Sequence, residues 1–398
     1  MPLNELELLF LVLVCLYGWE CLCWLKRGSV GFVTWLGQNW RTVHPGTLAG
    51  NQHGGFVLAP PLPPLGNLLT GNQFPLSLSA EGVLGFVASN VNPGWRPQQT
   101  GRFFRFDDIK SIEAKGKKLL INGELLLKTT SPALALHLGR NVKLLEKVAV
   151  PQRVSAVEKI FRETFDTEAI EKRWCEFQKQ TAVMRWLVNV LFGYLFILTP
   201  VMVTHFGLKQ TWIGLLIGLF ALTTAIAILF RRAHKTFYPE AEEERFTHFL
   251  TVLLSPVTCI RALDILSRHL LETFHPLAIA RVFCSPEEFR ELAGKALRDV
   301  HFPTLPLCPP TQPRAAATEQ ESRTLLRKTM EAFLRQGKID PGELVGPPQP
   351  LDETCRAYCP RCHAQFTLSD GSCSDCGGMP LKSFESDGGK HSDAAEQR

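Results

Sequence analysis

The sequence predicts a multi-domain α+β membrane protein with a small metal-bound module near its C-terminus. Two long charge-free runs, at residues 186–206 and 212–230, predict a pair of membrane-spanning helices. Two Cys-x-x-Cys pairs, at 359–362 and 373–376, predict the metal site. Short apolar runs between residues 76 and 128 predict a strand-rich domain. A chain of 398 residues has room for two or three domains.

An apolar segment near the N-terminus predicts a further membrane anchor, which we assign to residues 1–27. Residues 8–25 carry a single charged side chain, Glu20. It lies close to the Lys26-Arg27 end, where a carboxylate costs less than at the bilayer centre. The basic leader and the small-residue cleavage site of a secretory signal are both missing from this segment. The sequence therefore predicts an uncleaved anchor with its N-terminus outside and Lys26-Arg27 inside.

Residues 28–75 are rich in Gly and Pro and predict a connector without regular helix. The strand-rich domain follows at residues 76–170. Its clearest signal is Asn122-Gly123 between two apolar runs, because both turn residues of such a hairpin need a positive φ. Ser131-Pro132 predicts a helix start, and Pro151–Phe165 predicts a second helix. Further strands are predicted at Leu76–Leu78, Val83–Val87, Arg102–Phe106 and Ser111–Ala114.

This order of strands closed by a helix resembles the pleckstrin-homology-like (PH-like) domains of bacterial membrane proteins, over residues 74–166. The resemblance implies a surface that binds lipid headgroups, peptides or other such domains. Residues 102–185 hold 17 Lys and Arg against 11 Asp and Glu. This excess is compatible with membrane lipid as a partner. An ordinary solvated face would show the same scatter of charge.

The two charge-free runs predict a transmembrane helical hairpin over residues 171–235. Arg185 precedes the first run, and Arg231, Arg232 and Lys235 follow the second. By the positive-inside rule both flanks are cytoplasmic and the turn near Gly207 is outside. The predicted location is therefore the cytoplasmic (inner) membrane, with the bulk of the chain and its C-terminus in the cytoplasm. The alternative is a pair of buried core helices in a soluble protein.

Small residues in the second run leave two interpretations open. Gly214 and Gly218 lie four residues apart, a spacing that lets helices approach closely. They predict either the seam of a homodimer or a packing surface against the first run. In the first run, Pro200 predicts a kink.

Beyond the hairpin, residues 236–302 mix apolar and charged positions at helical spacing. This pattern predicts a helical cytoplasmic region, with helices packed together or lying along the membrane surface. A Pro-rich linker is predicted at 303–352, and it contains one amphipathic helix at 318–336. A capping box, Thr318-x-x-Glu321, marks the predicted start of that helix.

The C-terminal module is predicted at residues 353–384. Each Cys-x-x-Cys pair places two sulfurs on one tight turn, within about 2.3 Å of a shared zinc ion. The predicted ligands are Cys359, Cys362, Cys373 and Cys376. Four protein thiolates close the coordination sphere, so the predicted Zn²⁺ is structural. Cys355 and His363 lie nearby but are not predicted as ligands.

The cysteine pattern resembles the zinc ribbon family over residues 355–384, and all four ligand positions match. Thiolate ligands require a reducing compartment, which agrees with a cytoplasmic C-terminus. The last residues, 385–398, predict a disordered tail. Acidic and basic residues are mixed around the cysteines, so we expect no nucleic-acid partner.

No catalytic or cofactor-binding residue other than the zinc ligands is predicted. His248, His269 and His275 have no spacing that puts two imidazoles and a carboxylate on one helix face, so we expect surface or interface side chains. The sequence favours a bacterial-type membrane scaffold or adaptor that presents interaction modules to an unknown protein partner. Two alternatives stay open. One is a membrane-associated enzyme with a site assembled from distant residues, and the other is an accessory subunit of a transport or secretion complex.

Overall fold

A computed structural model describes residues 4–25, 76–88, 99–267, 269–303 and 312–384. The predicted connector at 28–75 and the predicted tail at 385–398 lie outside the described residues. The chain divides into two compact units. Described residues within Met1–Asn67, Thr130–Leu134 and Asp166–Ser285 form the first unit, and those within Leu68–Thr129, Ala135–Phe165 and Pro286–Arg398 form the second. The second unit groups segments that the sequence assigns to a strand-rich domain, a linker and a metal module.

The helices in the described part of the chain are α1 (Glu5–Leu25), α2 (Pro132–Lys147), α3 (Val150–Thr164), α4 (Thr167–Gln180), α5 (Ala182–Gly193), α6 (Thr199–Phe206), α7 (Leu208–Phe237), α8 (Glu242–Leu254), α9 (Pro256–Ile260), α10 (Ala262–Ser267), α11 (Pro276–Phe283), α12 (Pro286–His301), α13 (Pro313–Gln336) and α14 (Pro341–Val345). The strands are β1 (Leu76–Leu78), β2 (Gly82–Ala88), β3 (Gln99–Arg105), β4 (Ile112–Lys115), β5 (Lys118–Ile121), β6 (Glu124–Lys128), β7 (Ala357–Tyr358), β8 (Gln365–Phe366), β9 (Ser372–Cys373), β10 (Met379–Pro380) and β11 (Lys382–Ser383).

The first unit contains two helical segments, Ala182–Phe206 and Leu208–Phe237, that are long and apolar enough to cross a membrane. The first segment consists of α5, a π-helical turn at Tyr194–Leu198, and α6. This wide turn lies just before Pro200, whose ring would clash with a carbonyl one α-helical turn earlier. The Thr199 hydroxyl donates to the Tyr194 carbonyl at 2.8 Å. The structure thus has a π-helical turn where the sequence predicts a kink.

Helix α1 begins with a reciprocal cap and lies beside the hairpin. Asn4 Oδ1 accepts from the Glu7 amide at 2.8 Å, and the Asn4 amide donates to Glu7 Oε2 at 3.0 Å. Glu7 Oε1 also accepts from the Leu208 amide, at 3.0 Å, where α7 begins. Further along α1, the Tyr17 ring contacts the Phe196 ring, with centroids 6.2 Å apart. The start of α1 therefore lies next to the turn that joins the two segments of the hairpin.

Gly218 of α7 lies directly against the Tyr194 side chain of the first segment. A Cβ at this position would lie 2.5 Å from Tyr194 Oη. The Tyr194 hydroxyl donates to the Leu215 carbonyl at 2.7 Å. At Gly214, by contrast, a Cβ would meet no atom within 4 Å. The geometry at Gly218 favours packing within the hairpin, and the dimer seam through Gly214 and Gly218 stays a prediction.

Replacing Gly218 by valine is expected to destabilise the hairpin by about 1–3 kcal/mol, because the new side chain collides with the Tyr194 ring. The matched control is Gly214→Val, which makes the same change of residue in the same helix with open space around it. Thermal unfolding of the purified protein in detergent measures both. Equal losses for the two variants would contradict the packing assigned to Gly218.

The remaining helices of the first unit pack through aromatic side chains. In α4, the Trp174 ring stacks on Phe177 at 5.3 Å between centroids and meets Phe283 of α11 edge-on, also at 5.3 Å. Phe177 also contacts Phe237 at the end of α7, at 5.5 Å. Helices packed against one another are one of the two arrangements that the sequence predicts for residues 236–302. His275 caps the start of α11, because its Nδ1 accepts from the Leu277 amide at 3.1 Å.

Burial lowers the pKa of His275 to about 3. A histidine in an unfolded chain titrates near 6.5, so below that pH the unfolded chain binds a proton that the folded chain excludes. The stabilising effect of the neutral imidazole is complete above pH 7 and is lost as the pH falls towards 3. Between pH 7.5 and 5.0 we expect the free energy of unfolding to fall by about 2 kcal/mol on this account. His275→Asn keeps an acceptor for the Leu277 amide and should remove that part of the pH dependence. Chemical unfolding at the two pH values measures the difference, and identical slopes for both proteins would contradict the prediction.

Two three-stranded antiparallel sheets, ordered β1-β2-β3 and β4-β5-β6, form from the described residues between 76 and 128 of the second unit. Asn122 and Gly123 have φ values of +53° and +80° and form the turn between β5 and β6, so the predicted hairpin is confirmed. The Asn122 side chain also accepts from the Lys110 amide at 2.7 Å. The other predicted strands are found with small shifts of boundary. Phe106, predicted to end a strand, lies instead in a short 3₁₀ turn at Phe106–Asp108.

Helix α13 begins at Pro313, five residues before its predicted start, and the predicted capping box is wrong. Thr318 and Glu321 lie inside the helix, where their side chains bond to the edge of the first sheet instead. The Thr318 hydroxyl is 3.1 Å from Ser79 Oγ, and Glu321 Oε1 accepts from the Ala80 amide at 3.1 Å. A hydroxyl residue followed three positions later by a carboxylate suits a capping box. The same spacing puts both side chains on one face of a helix, where they can contact a neighbouring element instead.

Candidate metal centre

The four predicted ligands lie in a small module of short strands at the end of the second unit. One sheet has the order β11-β7-β8, and β9 pairs with β10. Cys359 follows β7 directly, and Cys373 ends β9. Each strand thus delivers its cysteine to the turn that carries the second cysteine of the pair. Phe366, Met379 and Leu381 pack against the buried cysteines.

The four sulfur atoms form a compact group. Their Sγ atoms all lie within 4.8 Å of one another, and Cys362 Sγ is 3.8 Å from Cys373 Sγ. A tetrahedral zinc ion with bonds of about 2.3 Å would hold sulfurs about 3.8 Å apart. Three of the cysteines are buried and Cys362 is exposed. The number, type and spacing of the donors therefore fit a tetrahedral metal ion such as zinc.

In the first turn two amide groups point towards the Cys359 sulfur, while the amides of His363 and Gly378 donate to the carbonyls of Cys359 and Cys373, both at 2.9 Å, and close the two turns. The amides of Cys362 and Arg361 bond to the Cys359 thiol. His363, next to the first pair, has a φ of +63°, and Gly377 and Gly378 after the second pair have φ values of +69° and +85°. Amides that donate to sulfur stabilise a thiolate and orient it as a ligand. The glycines allow this conformation without the strain that a side chain would bring.

Burial and hydrogen bonds shift the pKa values of the Cys359, Cys362 and Cys376 thiols in opposite directions. Although burial disfavours its thiolate, the Cys362 and Arg361 amides lower the pKa of Cys359. Burial raises the pKa of Cys362. Burial, together with hydrogen bonds to Cys362 and Cys359, raises the pKa of Cys376. Four thiolates in contact repel one another unless a divalent cation neutralises them. A bound zinc ion would supply that charge and cross-link the two turns.

Helix α12 contacts the first cysteine turn through Arg298 and Asp299. Arg298 donates to the Arg361 carbonyl at 3.1 Å and to the Leu344 carbonyl at 2.9 Å. Arg361 in turn forms an ion pair with Asp299, at 2.7 Å from Nε to Oδ1. The Arg298 guanidinium also interacts electrostatically with Cys362. A zinc ion with four thiolates carries a net charge of about −2, which a nearby guanidinium stabilises.

The structure brings together all four cysteines that the sequence selects, and it leaves the two neighbouring candidates outside the group. Cys355 Sγ lies 3.5 Å from Asp352 Oδ1. The His363 ring meets Tyr358 edge-on, with centroids 6.2 Å apart. Sequence reasoning missed Arg298 and Asp299. They lie about sixty residues before the cysteines in the chain, and no local pattern marks them as partners of the module.

Within the described residues, His248, His269 and His275 do not belong to a metal-binding group. His248 packs against His234, with ring centroids 5.7 Å apart. His269 Nδ1 lies 2.9 Å from Glu272 Oε2. Glu272 also accepts from the hydroxyls of Thr130, at 2.8 Å, and Ser131. Ser131 Oγ accepts from the Leu134 amide at 3.1 Å, which confirms its predicted role as a helix cap.

Comparison with protein-family models, with curated proteins and with solved structures finds no match to this chain. The assignment of the metal centre therefore rests on the geometry and chemistry of its cysteines alone. The PH-like resemblance gains no support from known proteins.

Proposed function

We propose that this protein is a multi-pass membrane scaffold or adaptor, anchored by the α5–α7 hairpin, that presents interaction modules stiffened by a structural zinc ion. The observation that carries the proposal is the apolar surface of the hairpin. Large apolar side chains on both segments are between 45% and 65% exposed: Trp186, Ile197, Leu198, Val201, Phe206, Trp212, Ile213, Leu216, Ile217, Phe220 and Ile228. A surface of this kind is typical of lipid contact, because soluble proteins rarely expose so many large apolar side chains to water.

Polar groups within the hairpin support the same environment. The hydroxyls of Thr204, Thr211 and Thr223 each donate to a backbone carbonyl of the same region, at 3.0, 2.9 and 3.1 Å. In a hydrocarbon core each hydroxyl needs a partner within the protein, because no water is present to supply one. These three hydroxyls are therefore satisfied within the hairpin, as a membrane would require, whereas buried Asn189 Oδ1 and Thr224 Oγ1 have no hydrogen-bond partner among the described residues.

The proposed orientation has a cytoplasmic bulk and an external turn at Gly207. The basic residues that flank the hairpin support it through the positive-inside rule. The contact between Glu7 and the Leu208 amide is compatible with this orientation, because it sets the start of α1 beside that turn and so on the same side of the membrane. An anchor that begins outside, as the charges around α1 predict, places Glu7 on the same side as Leu208.

The zinc module supports an interaction role over a catalytic one for that site. Four protein thiolates leave no coordination position open for a substrate or a water molecule. A folded module of this size without a large core of its own needs the metal for stability. We extend the proposal to the strand-rich region: its PH-like resemblance and its basic excess suit contact with lipid headgroups or with a peptide.

The proposal is tested by isolating the full chain from membranes in mild detergent after chemical crosslinking. The adaptor function predicts that one defined protein partner co-purifies with the wild-type chain. The partner should be lost or reduced when Cys373→Ser disrupts the metal module, and it should persist with Cys355→Ser, which changes a cysteine outside the group. If no protein is enriched over an unrelated membrane protein, and a metabolite instead raises the melting temperature, the scaffold proposal is wrong and an enzymatic role is favoured.

A further inference from the structure

Helix α8 runs back along α7 towards the charge-free part of the hairpin. At the start of α8, Arg245 donates to the Tyr238 carbonyl at 3.3 Å. Four residues later, the Phe249 ring lies 5.6 Å from the guanidinium of Arg231. Residues further along α8 therefore contact residues further back in the chain, from Tyr238 just after α7 to Arg231 within it. Helix α8 therefore leaves the basic end of α7 and extends alongside its apolar segment.

After α8 the chain turns and comes back to the end of α7, where α8 began. Leu254 lies five residues beyond Phe249, or about 7.5 Å further along the helix axis. Ser255 and Pro256 break the helix, and Ser255 Oγ caps α9 by accepting from the Thr258 amide at 3.3 Å. Helix α9 contacts both α5 and α7. The following helix, α10, returns to the end of α7, where the Tyr238 hydroxyl donates to the Leu266 carbonyl.

The composition of this segment matches its position. Residues 246–260 contain no Asp, Glu, Lys or Arg, and Arg245 and Arg261 lie at their two ends. Such a run is too short to cross a membrane, which needs about 20 residues in a helix. An apolar run of this length that enters and leaves on one side is typical of a re-entrant or interfacial segment.

On the side of α8 that faces away from α7, two large apolar side chains are exposed among two threonines and the glutamates of the first turn. Leu254 is 76% exposed and Phe246 is 62% exposed, whereas Val252 on the opposite side is fully buried. The hydroxyls of the two exposed threonines of α8 both donate to carbonyls of the same helix, so neither needs a water molecule as a partner. Thr247 donates to the Glu243 carbonyl at 3.4 Å, and Thr251 donates to the Thr247 carbonyl at 2.7 Å.

We propose that α8 and α9 form a re-entrant element, and that phospholipid acyl chains of the cytoplasmic leaflet cover the exposed face of Phe246 and Leu254. This inference rests on the proposed insertion of the hairpin into the membrane. The lipid is favoured over a protein partner because the exposed face of α8 extends along the apolar segment of α7. Arg245 and Arg261 at the ends of the charge-free run have the charge that suits lipid phosphate groups.

The test places the photocrosslinking amino acid p-benzoylphenylalanine at one position at a time in the full chain, in native membranes. Position 254 tests the inference. Position 220, in the hairpin, is the reference for lipid contact because Phe220 is 62% exposed there. Position 368, in the metal module, is the control for exposure to water because Leu368 is 68% exposed. Mass spectrometry after irradiation identifies the crosslinked molecule at each site.

The inference predicts phospholipid adducts at positions 254 and 220, in yields of the same order, and none at 368. Lipid adducts at 220 without any at 254, or a protein adduct at 254, would overturn the re-entrant element and leave the membrane hairpin standing. An absence of lipid adducts at both 220 and 254 would overturn the proposed membrane insertion together with this inference.

Discussion

Replacing Cys373 by serine is expected to abolish zinc binding and to unfold the C-terminal module. One lost thiolate opens the coordination sphere, and the three remaining sulfurs no longer surround the ion. Structural zinc sites contribute about 10–16 kcal/mol of apparent binding free energy in small peptides, which is more than a module of this size can replace by packing. We expect the zinc content of the purified chain to fall from one ion per chain to nearly none. Limited proteolysis should then cut within residues 353–384.

The control for this experiment is Cys355→Ser. Cys355 lies in the same module, four positions before Cys359, and its sulfur is outside the group of four. The control should retain both zinc and resistance to protease. An unchanged zinc content in Cys373→Ser, or an equal loss in Cys355→Ser, would contradict the ligand assignment.

Replacing Phe220 by lysine is expected to reduce the membrane-integrated fraction strongly. Phe220 is exposed near the middle of α7, and a lysine at the centre of a membrane helix costs about 3 kcal/mol relative to phenylalanine. This corresponds to about a hundredfold change in the insertion equilibrium. The fraction of the protein that stays with membranes after alkaline carbonate extraction measures the effect.

The matched control is Leu351→Lys, because Leu351 is 81% exposed in the second unit. If water surrounds both positions, the two substitutions should behave alike and improve solubility, since each replaces an exposed apolar side chain by a charged one. If lipid surrounds only Phe220, only Phe220→Lys should lose membrane integration. Similar soluble yields for both variants would refute the membrane hairpin.

Local chemistry explains which elements the sequence predicts well. The Asn122-Gly123 turn needs two positive φ angles, and few other residue pairs supply them, so the pattern and the structure agree. The metal site is similar, because Cys-x-x-Cys forces two sulfurs onto one turn. The charge-free runs predict two helices of membrane-spanning length, because any charge in a lipid core is costly.

The features that the sequence does not predict depend on contacts between distant residues. Thr318 and Glu321 match a capping box, yet they bond to Ser79 and Ala80 across more than two hundred residues of chain. The support of the metal module by Arg298 has no local signature either. The segments of the second unit alternate with those of the first along the chain, and composition alone carries no signal of this alternation.

The side of the membrane on which the metal module lies tests the account most directly. A C-terminal epitope tag reports the position of the module when protease is added to sealed, right-side-out cells or to inverted membrane vesicles. The account predicts that the tag survives in intact cells and is removed in inverted vesicles. Removal of the tag from intact cells, with survival in inverted vesicles, would contradict it.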